Sequence, residues 1–217
     1  MSKRALAHVR DWVFDLDNTL YPAAATLYDA IGARMTDYIA RKLSLDAGEA
    51  AALQERYFVE YGATVAGLAK HHGVDAGDFI DYVHDIAPDM LTPDEELNAL
   101  IDVLPGRKFV FTNGGRAYAR RVLDQLGLTP HFDRVCDIEA GAHAPKPHRE
   151  AYARLIAHCA IEPATSVLFE DSPRNLAPAH AMGFVTVLVG GQARAGHAHV
   201  DFYADDLKAF LRDAVQL

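Results

Sequence analysis

The chain has 217 residues, half of them hydrophobic, with 30 acidic against 21 basic side chains and a formal charge of −9. That balance excludes the basic footprint a nucleic-acid polymer needs and argues against disorder, while leaving room for a small phosphorylated metabolite recruited by local charge. No apolar run approaches bilayer length, and the basic N-terminus enters a buried strand without a signal-peptide apolar region, so no membrane association and a cytoplasmic location are expected.

The first element is the stretch 12–20, Trp-Val-Phe-Asp-Leu-Asp-Asn-Thr-Leu. Its unbroken apolar start predicts a parallel strand buried on both faces. Asp15 and Asp17 stand where that strand ends, two apart and therefore facing one crevice. Residues 22–90 then read as helices only, with Ile31, Met35, Tyr38 and Ile39 on one stripe and Leu53, Tyr57 and Tyr61 on the next. Thr92-Pro93-Asp94-Glu95 has capping-box spacing and predicts a helix start.

From there strands and helices alternate. Strands are predicted at 108–111, 134–136, 167–169 and 184–189, and helices carry Ala119, Val122, Leu123 and Leu126, then Tyr152, Leu155, Ile156 and Cys159. Ser172-Pro173 predicts an N-cap and first turn, and 206–211 a closing helix. The pattern implies an α/β fold, a Rossmann-like doubly wound parallel sheet with an inserted all-helical cap. The core is expected over 1–21 and 91–217, and the cap over 22–90.

Polar residues recur at the predicted strand ends: Asp15 and Asp17, Thr112 and Asn113, Glu170 and Asp171. Ligands of open parallel sheets bind there, so the groups should converge. Four converging carboxylates require compensation, and an oxygen-only set selects Mg²⁺. Magnesium keeps phosphate oxygens in its shell, which makes a phosphoryl group the natural partner. The Gly114-Gly115 helix start favours an anion, and Lys146, held between two prolines, can balance charge on it.

Together, Asp15-Leu16-Asp17-Asn18-Thr19, Thr112-Asn113, Lys146-Pro147 and Glu170-Asp171-Ser172 resemble the four ordered motifs of the haloacid dehalogenase-like superfamily. That resemblance implies Asp15 as a nucleophile forming an aspartyl-phosphate and Asp17 as the acid and base. It implies Thr112, Asn113 and Lys146 around the phosphate. Asp15, the Asp17 carbonyl, Glu170 and Asp171 would hold Mg²⁺, with Asn175 orienting the shell. Many relatives have Asp-Asp where this chain has Glu170-Asp171.

Residues 14–22, 61–68, 84–86 and 104–108 further resemble the pyrimidine 5′-nucleotidase branch, which implies a small phosphomonoester, a nucleoside 5′-monophosphate among them. The competing readings are a phosphosugar mutase or sugar-phosphate phosphatase, a dehalogenase, which needs neither metal nor Asp17, and a phosphate-sensing protein. His71-His72 and His197-His199 lack the partners of a zinc site and are expected as surface residues. Tyr57, Phe58 and Tyr61 are expected to pack within the cap, and Cys136 and Cys159 to be ordinary apolar packing residues.

Overall fold

A computed structural model describes residues 6–140, 144–190 and 196–215. The N-terminal basic stretch of residues 1–5 lies outside them. Among the described residues six strands form one parallel sheet in the order β3-β2-β1-β4-β5-β6. They are β1 (Asp11–Phe14), β2 (Arg107–Phe111), β3 (Arg134–Cys136), β4 (Ser166–Glu170), β5 (Val185–Val189) and β6 (Phe202–Ala204). The chain runs outward from β1 to β3 and then returns to β4 on the other side of β1. The strand order therefore reverses between β1 and β4, where doubly wound sheets open a ligand crevice.

Side-chain alternation explains why β1 is apolar throughout. Trp12 and Phe14 point to one face, with Val110, Phe169 and Val187 in the same core. Val13 points to the other, with Phe109, Phe111, Leu168 and Leu188. The first face is covered by α5 (Glu95–Asp102), α6 (Arg116–Leu126) and α9 (Leu207–Val215) through Leu97, Val122 and Leu211. The second is covered by α7 (Arg149–Cys159) and α8 (Pro173–Ala181) through Leu155 and Leu176. With neither face solvated, polar alternation would cost stability, whereas each large apolar side chain buried here contributes roughly 1.5–3 kcal/mol. Phe14 stacks on Phe169 at 4.6 Å between ring centres.

Between β1 and α5 the chain forms a short 3-10 turn and four helices: α1 (Leu27–Leu43), α2 (Ala47–Tyr61), α3 (Thr64–His72) and α4 (Ala76–Val83). Asp46 caps α2 in a reciprocal capping box with Glu49. Gly62 ends α2 at φ +83°, and a Cβ there would fall 2.5 Å from Pro147 Cδ. Only glycine lets the end of α2 lie against the Lys146-Pro147 loop. His148 Nε2 pairs at 2.7 Å with the Tyr61 carbonyl, and Arg174 donates to the Phe58 carbonyl at 3.0 Å.

Two expectations are corrected and one strand is added. The capping-box helix start at Thr92 does not form: Asp94 is the N-cap and its carboxylate accepts the Leu97 N–H at 3.0 Å. β6 was not foreseen, because Phe202-Tyr203-Ala204 is short and its first two residues are only partly buried. Within the aromatic stripe, Tyr57 is buried, but Phe58 is 44 % exposed and faces the cleft described below. His71 and His72 end α3 and pair with the Tyr61 and Tyr57 hydroxyls. Cys136 and Cys159 are free, buried, and 2.9 Å apart at sulfur. No helix among the described residues is long and apolar enough to cross a membrane.

Candidate active site

Parallel register sets the site. Phe14 is level with Val110 and Phe169, so Asp15, the first residue after β1, reaches the crevice beside Glu170 at the end of β4. The Asp15 N–H donates to the Phe169 carbonyl at 2.9 Å, which carries the ladder one residue past the strand. Lys146 enters from the loop between β3 and α7. Its ammonium spends its three protons on Asp15 Oδ1 at 2.6 Å, Glu170 Oε2 at 2.7 Å and the Phe111 carbonyl at 2.9 Å.

Neighbouring side chains hold this centre. Asn113 accepts the Lys146 N–H at 2.7 Å and donates to the Lys146 carbonyl at 3.1 Å, clamping the loop that delivers the lysine. Thr19 donates to Asp15 Oδ2 at 3.1 Å. Asn175 Nδ2 and the Ser172 N–H each donate to Glu170 Oε1 at 3.2 Å. Asn18, at φ +61°, turns the chain after the acidic pair and donates to Asp171 Oδ2 at 3.4 Å. Thr112 lies one residue past β2. It is buried, and its hydroxyl accepts the Gly114 N–H at 2.9 Å, bracing the turn that starts α6.

The charges are unbalanced inside a buried space. Burial, then the charge of Glu170, pushes the Asp15 carboxyl up to about 7. Burial does the same to Glu170, with Asp171 adding to it, and brings it to about 7. Asp171 is also raised by burial. Burial pulls Lys146 down, but Asp15 and Glu170 outweigh it and hold the ammonium firmly protonated. One lysine thus faces three carboxylates.

Those three carboxylates suit a hard cation. Asp15, Glu170 and Asp171 each offer an oxygen within 4.8 Å of the others. Opposite ligands of an octahedral magnesium lie roughly 4.2 Å apart, twice a bond of about 2.1 Å. A small contraction would therefore bring the three oxygens into the shell of one ion, leaving positions for water or a phosphate oxygen, and the all-oxygen donors exclude a preference for softer metals. The side chain of Asp17 is not in this cluster. Its Oδ1 accepts from the Tyr21 and Tyr118 hydroxyls, each at 2.5 Å.

Two connected spaces meet at the site. A cleft of about 320 Å³ is lined by Asp15, Asp17, Lys146, Glu170 and Asp171. A second chamber of about 240 Å³ lies between the helical block and the sheet, walled by Ile31, Met35, Phe79, Ile80 and Val83. Asp17, Tyr28, Phe58, Gly62 and Asn113 border both. Among the described residues no lysine or arginine lines the chamber. His84 does, and burial depresses its basicity, leaving a neutral ring with Nδ1 unpartnered.

Asp15, Asp17, Asn113, Lys146, Glu170, Asp171 and Asn175 thus come together as cleft-lining residues, while Thr112 is packed beneath the turn. Thr19, Tyr21 and Tyr118 were not singled out in the sequence. Thr19 and Tyr21 each lie four residues beyond the acid they contact, a spacing that a turn after the strand would have exposed. Tyr118 contacts Asp17 across 101 positions and left no local signal.

A parallel sheet with an acidic, lysine-bridged centre at its switch point, roofed by an inserted helical block, defines a hydrolase of the doubly wound α/β class. The chain belongs to the haloacid dehalogenase-like hydrolase family, which it matches over residues 12–183. It is 32 % identical over 134 residues to Phosphate metabolism protein 8 of Saccharomyces cerevisiae, a match covering 56 % of this chain and 41 % of that one. The alignment therefore spans less than half of that relative's length. A phosphatase of the family from Thermococcus onnurineus superposes with a TM-score of 0.64 at 18 % identity, covering 94 % of this chain and 97 % of the other. The L-2-haloacid dehalogenase of Xanthobacter autotrophicus superposes with 0.58 at 18 % identity over the same shares. The fold thus serves two chemistries, and the site has to choose between them.

Proposed function

We propose that this chain is a Mg²⁺-dependent phosphomonoesterase that works through an aspartyl-phosphate on Asp15. The observation that carries the reading is the pairing of a buried Asp15–Lys146–Glu170 centre with a second acid, Asp17, on the border between cleft and chamber. A dehalogenase needs neither Asp17 nor a third carboxylate beside the nucleophile; a phosphatase needs both.

In this mechanism a phosphoryl group occupies the cleft and its leaving oxygen lies toward the chamber. Asp15 Oδ attacks phosphorus in line as Asp17 gives a proton to the departing oxygen. Asp17 then takes a proton from the water that hydrolyses the acyl phosphate, which returns both carboxylates to their starting state. Lys146 balances charge on the phosphoryl oxygens, and Asn113 keeps it in place through the loop backbone. Asp15, Glu170, Asp171 and the Asp17 carbonyl would hold Mg²⁺, which supplies electrostatic stabilisation of the transferring group. Asn175 orients Glu170 for that role.

The chamber narrows the substrate. Apolar walls without a cation favour an uncharged leaving group and disfavour a second phosphate or carboxylate, which would be buried unpaired. Phe58 and Tyr28 at its border are aromatic and partly exposed, which suits a flat leaving group. A nucleoside 5′-monophosphate, a pyrimidine one included, meets these terms better than a sugar bisphosphate, and the resemblance to the nucleotidase branch supports it; the similarity to Phosphate metabolism protein 8 supports phosphate chemistry alone. The test is phosphate release with Mg²⁺ across nucleoside monophosphates, sugar phosphates and acidic phosphoesters, run beside Asp15→Asn. Release from the nucleotides that disappears in the variant is expected. Undiminished release by Asp15→Asn, or turnover that survives EDTA, would overturn the reading.

A further inference from the structure

One buried arrangement beside Asp17 has no part in the transfer of the phosphoryl group itself. Two buried tyrosines converge on a single oxygen of Asp17. Tyr21 is 4 % and Tyr118 1 % exposed, and their hydroxyls reach Oδ1 at 2.5 Å each, 3.3 Å from one another. Each phenol has one proton, and both are spent on Oδ1. Burial, then the charge of Asp17, holds both phenols well above their usual range, so they remain donors. Among the described residues no donor reaches the other oxygen, Oδ2.

We propose that Tyr21 and Tyr118 are positioning residues that clamp Oδ1 of Asp17 and so reserve Oδ2 for proton transfer to and from the reacting oxygen. The clamp rests on the phosphomonoesterase reading and adds what that reading lacks, a reason for Asp17 to act in one orientation. A carboxylate oxygen has two lone pairs, and both of those on Oδ1 are taken. A proton carried by Asp17 therefore sits on Oδ2. The two contacts also fix the side-chain torsions, so that Oδ2 need not search for the leaving oxygen.

The clamp is tied to both chain crossings into the helical block. Tyr21 stands in the outgoing connection, between β1 and the 3-10 turn at Ala23–Ala25. His84 follows α4 in the return, and its ring stacks on Tyr118 at 4.7 Å. The His84 carbonyl accepts from Arg121, one turn further along the same core helix as Tyr118, at 2.6 Å. Orientation of the acid is thereby built into the attachment of the cap. Both rings are buried in the core, so phenylalanine is the right probe at each position: it removes the donor and keeps the shape.

The test is leaving-group selectivity, since only expulsion of a basic oxygen needs the acid. Two neutral aromatic substrates of similar size, 4-nitrophenyl phosphate and benzyl phosphate, are compared by kcat/KM, which reports steps up to loss of the leaving group. The first expels a stable phenolate, the second a strongly basic alkoxide. In the Tyr21→Phe/Tyr118→Phe double variant the benzyl-to-nitrophenyl ratio is expected to fall roughly tenfold or more. Each single variant should move it in the same direction by less, and these serve if the double variant does not fold. A ratio unchanged from wild type, whether both rates hold or both fall together, would overturn the clamp. Wild type that turns over neither substrate would instead overturn the phosphomonoesterase reading.

Discussion

Lys146 and Asp15, 131 positions apart, meet at 2.6 Å with the lysine side chain 2 % and the aspartate side chain 7 % exposed. Such a buried pair is costly to form and far costlier to break, because removing one partner strands the other charge. Lys146→Ala should therefore lose turnover. It should also lower the stability of the metal-free protein by about 3–5 kcal/mol, since Asp15 and Glu170 both lose their cation. Urea unfolding in EDTA and in Mg²⁺ measures this, with magnesium restoring part of the loss. A variant as stable as wild type in EDTA would show that the lysine is not the structural counter-ion.

The acidic centre should make stability depend on pH in an unusual direction. Asp15 and Glu170 titrate near 7 when folded against ordinary values of 3.8 and 4.5. Between those limits the folded chain keeps protons that the unfolded chain has released, so the slope of stability with pH is negative there. The contribution is complete below about pH 4 and lost as pH rises through about 7. In EDTA, the urea midpoint of wild type should fall from about pH 5 to about pH 8 more steeply than that of Glu170→Gln. Protons and metal compete for the same oxygens, so apparent Mg²⁺ affinity should rise over the same range. Equal slopes in the two proteins would refute this account.

The parts of the fold that follow a local pattern are legible in the sequence. β1 showed itself because both its faces are buried, which forbids polar alternation, and Asp15 and Asp17 stood out against that run. β6 has three residues at the sheet edge and no such contrast. At α5, Thr92 and Asp94 both satisfy a capping pattern, and the choice fell to Asp94, whose other oxygen pairs with Lys208 at 2.7 Å from a helix 114 positions away. The site divides in the same way. Its acids sit at strand ends and were legible. Tyr118 and the clamp of Asn113 on Lys146 depend on chain segments brought together only by folding.

Asn175 supports Glu170 through one hydrogen bond of 3.2 Å and lends its own carbonyl to the Tyr152 hydroxyl at 2.5 Å. The second contact uses backbone and survives substitution, so Asn175→Ala isolates the first. Loss of a hydrogen bond that orients a metal ligand typically costs about 10–100-fold in affinity. The variant should accordingly need that much more Mg²⁺ for half-maximal turnover, with kcat at saturating metal close to wild type. Calorimetric titration of Mg²⁺ gives an independent value. Wild-type affinity in the variant would mean that Ser172 N–H alone suffices to orient Glu170.

Gln54 offers a way to rewrite the chamber. It lines the apolar space, accepts from Thr36 at 2.7 Å and lies close to the Met35 sulfur, with no cation nearby among the chamber residues. Gln54→Arg puts a positive charge where an uncharged leaving group is expected to bind. Affinity for a neutral nucleoside should suffer from lost fit and from a guanidinium that must be desolvated. A phosphoester bearing a carboxylate on its leaving group should gain a partner it lacks in wild type. One well-formed charge contact is worth about 1.4 kcal/mol or more at such a site, which is about tenfold in kcat/KM. The ratio of kcat/KM for a carboxylated phosphoester to that for a nucleoside monophosphate should therefore rise by about that factor or more. If both values fall together the chamber is not where the leaving group sits, and if neither changes the substrate does not reach Gln54.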